Sequence, residues 1–137
     1  KLYANRKLEW HLSRTQAAVN EYIRARDEGK PCITCDTILI KAGRVGGDYD
    51  AGHCRAVAAA GHLRYDYANI HGQCKHCNNW GAGKQGDYWP ALEVRIGREE
   101  CERLRNDNKP HKWTRDELEV IYQDAKCKLK ELRDACH

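Results

Sequence analysis

The sequence contains neither phenylalanine nor methionine, although 41% of its 137 residues are apolar. Without those two large core fillers, and with 32% of residues charged, a small core beneath a large polar surface is expected. No run of about 18 apolar residues occurs, so nothing here reads as a membrane-spanning helix. The opening KLYANRKLEW lacks the apolar stretch of a secretory signal. It also lacks an initiating methionine, so the first residues of the natural protein are expected to be missing. The length suits a single compact domain with helical extensions better than two independent cores.

The net charge of +4 is too small to argue for a nucleic-acid partner, but its distribution says more. From position 41 to 84 the charged residues are Lys41, Arg44, Arg55, Arg64, Lys75 and Lys84, against Asp48, Asp50 and Asp66. The middle of the chain is therefore locally basic. Both flanks mix signs, as a solvated surface does.

Four of the eight cysteines fall into two CxxC pairs, Cys32/Cys35 and Cys74/Cys77. A disulfide scaffold would want scattered spacing and a secreted context. Paired CxxC turns favour metal and a reducing cytoplasm. Zinc takes four soft ligands in a tetrahedron, and two CxxC turns can close one such site. With four thiolates no position stays open for substrate or water, so this Zn²⁺ is expected to be structural, replacing the core that the Gly-rich middle cannot build. His76, inside the second turn, is an alternative ligand. Cys54, Cys101, Cys127 and Cys136 form no second pair with ligand spacing.

Around this middle, the periodicity predicts helices. Residues 6–28 are free of Gly and Pro before Gly29-Lys30-Pro31, and Leu8, Leu12, Thr15, Val19, Tyr22/Ile23 and Arg26 recur at three- and four-residue steps. After Gly86, Asp87 can cap a helix through Leu92 and Val94 to Ile96; Gly97 interrupts it and a short helix over 98–105 follows. Thr114-Arg115-Asp116-Glu117 reads as a capping box opening a last amphipathic helix with Leu118, Ile121/Tyr122, Ala125, Leu129 and Leu132 on one stripe. These stripes must be covered by the zinc core, by each other or by a second subunit. The region 32–86 reads instead as short strands at 37–40, 49–54 and 63–65, a turn at Gly46-Gly47-Asp48, and a small helix over 75–80. The organisation expected is one α+β domain: an N-terminal helix (6–28), a zinc-braced core (32–86) and a helical extension (87–136).

Between the knuckles stand Asp50-Ala51-Gly52-His53 and Asn69-Ile70-His71-Gly72-Gln73, and Asn78-Asn79 follow the second CxxC. A His, then an Asn, then a polar residue just past the second pair resembles the HNH (His-Me finger) endonuclease signature. That resemblance implies a ββα-metal core in which His53 is the general base, Asn69 braces strand and loop, and a residue on the helix binds a divalent ion. The chemistry suits these residue types: imidazole titrates near neutrality, and a hard cation stabilises charge on phosphate oxygens. Mg²⁺ or Mn²⁺ would need few protein oxygens, which Asp50 and Asn78 could supply. HNH enzymes often carry an acid directly before the base, where this chain has Gly52. Residues two apart on a strand share a face, so Asp50 is the expected substitute, with His71 as a competing ligand.

A longer string is more specific. Asn20 to Asp27, Gly29 to Cys35, Ala51-Gly52-His53, Leu63-Arg64-Tyr65, Asn69 to Cys74, Cys77-Asn78-Asn79, Glu93 to Gly97 and the Trp113-Thr114-x-x-Glu117-Leu118 helix start resemble, in order, the lambdoid phage NinG (Rap) recombination proteins. Only the stretch 38–47 is longer than expected. The resemblance spans about residues 13 to 133 and implies a phage-encoded, metal-dependent endonuclease that cuts Holliday junctions and D-loops, working as a homodimer because symmetric cleavage needs two sites. Arg55, Arg64, Lys75 and Lys84 are then the expected phosphate contacts, and Trp80, Tyr88 and Trp89 candidates for stacking on unpaired bases, with core packing the simpler reading of these aromatics at helix starts. Two other readings share these residues: an HNH nicking enzyme without junction preference, and a non-catalytic zinc module that binds DNA.

Overall fold

A computed structural model describes residues 5–41, 48–80 and 85–135. In chain order it contains α1 (Leu8–Asp27), β1 (Tyr49–His53), β2 (Ile70–Cys74), α2 (Gln85–Ile96), α3 (Arg98–Asn106) and α4 (Arg115–Ala135). Short 3₁₀ turns at Gly61–Leu63 and Tyr67–Asn69 link the strands, and a π-helical turn, His76–Trp80, follows β2. Helices surround one small sheet, so the architecture is mixed α+β. No helix among the described residues is long and apolar enough to cross a membrane.

The long terminal helices cover each other. α1 buries His11, Thr15, Ala18, Val19, Ile23 and Asp27, and α4 buries Leu118, Ala125 and Leu129. Val19, Ile23, Leu118 and Ala125 join Tyr65 and Ile70 in one apolar cluster, so the helix pair also lies on the end of β2. Polar contacts set the register of the pair. Thr15 donates to the Leu118 carbonyl at 3.2 Å, and Arg14 pairs with Glu119 at 2.7 Å while its guanidinium lies 3.5 Å from the Tyr122 ring centre. At the start of α4, the Glu117 amide donates to Thr114 Oγ1 (3.2 Å) and the Thr114 amide to Glu117 Oε1 (3.0 Å). This is the reciprocal cap the sequence predicts. Gly97, at φ 91°, breaks α2 from α3 where an ordinary side chain would be strained.

β1 and β2 form an antiparallel pair in the register Tyr49↔Cys74, Asp50↔Gln73, Ala51↔Gly72, Gly52↔His71 and His53↔Ile70. Their connection carries Cys54, Ala60 and Leu63 into a second cluster with Ile33, Tyr88, Leu92, Cys101 and Leu104. A third, small cluster of Cys32, Leu39, Tyr49 and Cys77 underlies the two CxxC turns.

Three expectations are corrected. The segment 37–40 contributes only one bridge, Pro31↔Ile38, rather than a strand. Residues 63–65 end a 3₁₀ turn and are not extended. The second strand is instead Ile70–Cys74, which the sequence pattern conceals because it is buried through Gln73 on both faces while carrying His71 and Gln73. Of the expected turn at Gly46-Gly47-Asp48, only Asp48 lies among the described residues, and Lys84, Cys136 and most of the 38–47 stretch lie outside them.

Candidate active site and metal centre

The two CxxC turns meet. The sulfurs of Cys32, Cys35, Cys74 and Cys77 all lie within 4.8 Å of one another, and those of Cys35 and Cys74 are 3.7 Å apart. A tetrahedral zinc at its usual sulfur distance of about 2.3 Å would set its ligands about 3.8 Å apart. The four cysteines therefore fit a zinc ion. The first turn is tied by the Cys32 amide to the Thr37 carbonyl (2.7 Å), and the Cys74 amide donates to Cys32 Sγ (3.3 Å), which binds one knuckle to the other. Burial disfavours the Cys35 thiolate, but hydrogen bonds with Thr37 outweigh it and bring the thiol down to about 7. Burial pushes Cys74 up to about 12, so binding a cation here must expel protons. His76 is exposed and takes no part in the cluster.

His53 closes β1 on the side away from the knuckles' start. Its Nε2 lies 3.0 Å from the Arg64 carbonyl oxygen and 3.4 Å from Gln16 Nε2. A carbonyl can only accept, so Nε2 carries the proton and donates to Arg64. The amide of Gln16 donates to the same oxygen at 3.0 Å, and the two nitrogens are neighbours because they share an acceptor with two lone pairs. That tautomer leaves Nδ1 unprotonated, and Nδ1 has no hydrogen-bond partner among the described residues. Burial lowers the pKa of His53 below the ordinary imidazole value, partly offset by the bond to Arg64. A neutral ring with one exposed lone pair is what a general base requires at neutral pH.

Asn69 braces this strand. It is fully buried: Oδ1 accepts from the Arg55 amide at 2.9 Å, and Nδ2 donates to the carbonyls of Arg55 and Leu63 at 3.1 and 3.2 Å. Its side chain reaches no solvent, so it is a positioning residue that fixes the loop after His53.

Asp50 and Asn78 are brought together, Nδ2 of Asn78 donating to Oδ2 at 3.0 Å, while Lys75 Nζ holds Oδ1 at 2.8 Å. Asp50 shares a strand face with Gly52, as expected, but His53 projects from the other face. No hydrogen bond among the described residues links His53 to this carboxylate. Each oxygen of Asp50 accepts one hydrogen bond and keeps a further lone pair. A divalent ion there would meet the Lys75 ammonium, so Lys75 would have to withdraw and the Asn78 amide to turn its oxygen inward. As they stand, these residues do not form a ready divalent-ion site. Gly52 cannot be an acid in this packing: a Cβ would overlap Oε1 of Gln73 and press within 3.1 Å of its Cβ and Cδ. Gln73 is fully buried and donates to Thr34 (2.8 Å), and the Gly52 carbonyl accepts from the buried Tyr88 hydroxyl (2.6 Å).

His71 is spoken for. Its Nε2 donates to the Ala68 carbonyl (2.9 Å) and its Nδ1 accepts from Arg26 (3.1 Å). Burial first, then Arg26, lowers its pKa to about 4, so it is a neutral structural histidine.

The expected phosphate contacts diverge. Arg55 donates to the carbonyls of Leu104 (2.9 Å) and Asp107 (2.6 Å) and to Asn108 (2.8 Å), closing the C-terminus of α3. Lys75 is paired with Asp50. Arg64 bonds Gln16 Oε1 through Nε (2.9 Å), its guanidinium lies 5.0 Å from the Tyr65 ring centre, and its charge adds to burial in lowering the pKa of His53. Tyr88 is fully buried in the core, so it is no stacking platform. Trp89 is half-buried beneath the Arg105 guanidinium, 4.5 Å from its ring centre, and the Trp80 side chain lies outside the described residues.

Sequence reasoning missed Gln16 and Asp27 as parts of this region. Asp27, fully buried at the end of α1, accepts from Arg26 (2.8 and 3.0 Å) and from the Gly72 amide (2.7 Å), fastening α1 to β2. Its signal was present: an acid at the last step of an otherwise apolar stripe.

With this geometry in view, comparison with known families is decisive. The family model described as bacteriophage lambda NinG protein matches residues 1–135. The chain belongs to the NinG family. It is 40% identical over 124 residues to the protein ninG of Salmonella phage P22, covering 90% of this chain and 58% of that protein. Against the ninG proteins of Escherichia phage 933W and Escherichia phage lambda it is 39% and 38% identical over the same length, covering 59% and 58% of them. The chain thus spans a little under three-fifths of the curated NinG proteins it matches. No solved structure matches it.

Proposed function

We propose that this NinG chain carries the active centre of an HNH-type, metal-dependent endonuclease that cuts branched DNA such as Holliday junctions and D-loops. The observation that carries the reading is the state of His53: Nε2–H fixed on the Arg64 carbonyl, Nδ1 unprotonated and without a partner among the described residues. In the proposed reaction a water oxygen bonds to phosphorus, its proton passes to Nδ1, and the bond to the leaving sugar oxygen breaks. Asn69 keeps the strand and loop from shifting under the ring. Arg64 hangs its guanidinium on the same Gln16 side chain that neighbours the His53 ring, and offers its terminal nitrogens to a phosphate. A divalent ion, Mg²⁺ or Mn²⁺, would supply stabilisation of the charge that builds on the phosphate and leaving oxygens. Asp50 and Asn78 are the oxygen donors that would hold it, subject to the rearrangement described above.

The zinc cluster serves structure in this reading, because four sulfurs leave no coordination position open. The preference for branched DNA rests on the resemblance to recombination proteins, and two nicks per junction call for a homodimer. The test is incubation of the protein with labelled four-way and linear duplexes, with and without Mg²⁺. Ion-dependent cutting that favours the junction is expected. Equal cutting of both leaves a general nicking enzyme, and binding without any cutting leaves a zinc module that only holds DNA.

A further inference from the structure

Gln16 lies on α1, outside the cysteine-braced hairpin, yet its side chain makes three hydrogen bonds close to His53. One amide hydrogen goes to Asn20 Oδ1 (2.9 Å) and the other to the Arg64 carbonyl (3.0 Å), while Oε1 accepts from Arg64 Nε (2.9 Å). The reverse amide orientation would set oxygen against that carbonyl and nitrogen against that guanidinium, so the network permits only one. Arg64 is gripped at both its backbone and its side chain. The gripped carbonyl is the one that receives His53 Nε2–H. It belongs to no strand ladder, standing just past the 3₁₀ turn Gly61–Leu63, and its partners among the described residues are Gln16 and His53.

We propose that Gln16 is a positioning residue, which clamps the Arg64 carbonyl to fix the His53 tautomer and anchors the Arg64 guanidinium through Nε. The inference rests on the nuclease reading above for its catalytic consequence. It makes α1 part of the site rather than a packing helix alone. Gln16 touches no reacting atom; its effect passes through Arg64 to His53.

The experiment compares the full chain with Gln16→Ala and Gln16→Glu. Nitrogen-15 NMR of the His53 ring, at a pH well above its titration, reads the tautomer, and single-turnover nicking of a labelled four-way junction with Mg²⁺ reads the rate. Wild type is expected to show the Nε2–H pattern. Gln16→Ala is expected to average the two ring nitrogens and slow nicking by on the order of 10- to 100-fold. Gln16→Glu keeps the acceptor for Arg64 Nε but lacks the N–H for the carbonyl, so it should lose the tautomer preference as well. Should the alanine variant fail to fold, the near-isosteric glutamate variant carries the same test. Wild-type ring signals in the folded variants would overturn the proposal. The ring signals do not depend on cleavage. If His53→Ala nicks DNA like wild type while the Gln16 variants still shift the ring, the nuclease reading falls and the clamp stands.

Discussion

Replacing Asp27 with Asn tests how α1 is fastened to the hairpin. The carboxylate is fully buried, accepts two hydrogen bonds from Arg26 and one from the Gly72 amide, and has Lys30, Arg95 and His71 at 3.5, 3.9 and 4.0 Å. An amide of the same shape retains one oxygen but points an N–H at a donor. It also leaves Arg26 and Arg95 without their counter-charge. Breaking one partner of a buried, hydrogen-bonded pair costs about 3–5 kcal/mol. For a domain of this size, about 3–5 °C of melting temperature is lost per kcal/mol, so a fall of roughly 10–20 °C is expected. The pH dependence supplies a second check. Burial raises the carboxyl's pKa, but the bonds from Arg26 and Gly72 outweigh it, and the folded value lies below the unfolded one. The stabilisation is therefore fully present above the ordinary carboxylate range and is lost as pH falls through the depressed folded value. Urea and thermal unfolding of both proteins from neutral pH downward should show the gap closing only in acid. A variant within about 1 kcal/mol of wild type at neutral pH would refute the reasoning.

Two further outcomes follow from the same geometry. Gly52→Asp, which would restore an acid before the base, should destabilise the chain by about 2–4 kcal/mol in denaturant titration, because the new side chain overlaps buried Gln73; pairing it with Gln73→Gly should recover part of that loss, and a Gly52→Asp protein as stable as wild type would remove the steric account. Elemental analysis should find one zinc per chain, lost together with cooperative melting in Cys35→Ser, and released on acidification as the thiolates regain protons; full stability with no zinc would show that the cluster is not a metal site.

Much of this was legible because it is local. The capping box at Thr114–Glu117, the two CxxC turns and the stripes of α1 and α4 are each written within a few residues, and each formed as read. What was illegible depends on partners far along the chain. β2 carries no alternation, since its polar residues are satisfied internally: Gln73 by Thr34, His71 by Arg26 and Ala68, the Gly72 amide by Asp27. Arg55 reads as a phosphate ligand in sequence but closes α3, some fifty residues later. Gly52 looked like a missing metal ligand, and only the packing of Gln73 shows why nothing larger stands there.

The central claim is that one neutral imidazole, at the end of β1, activates water. The direct measurement is cleavage of a labelled junction by His53→Ala in Mg²⁺, alongside its melting temperature and its binding of the same DNA. Unchanged melting and binding with nicking reduced by about 10²–10⁴-fold is the result expected. Nicking at the wild-type rate by a folded His53→Ala protein would contradict it.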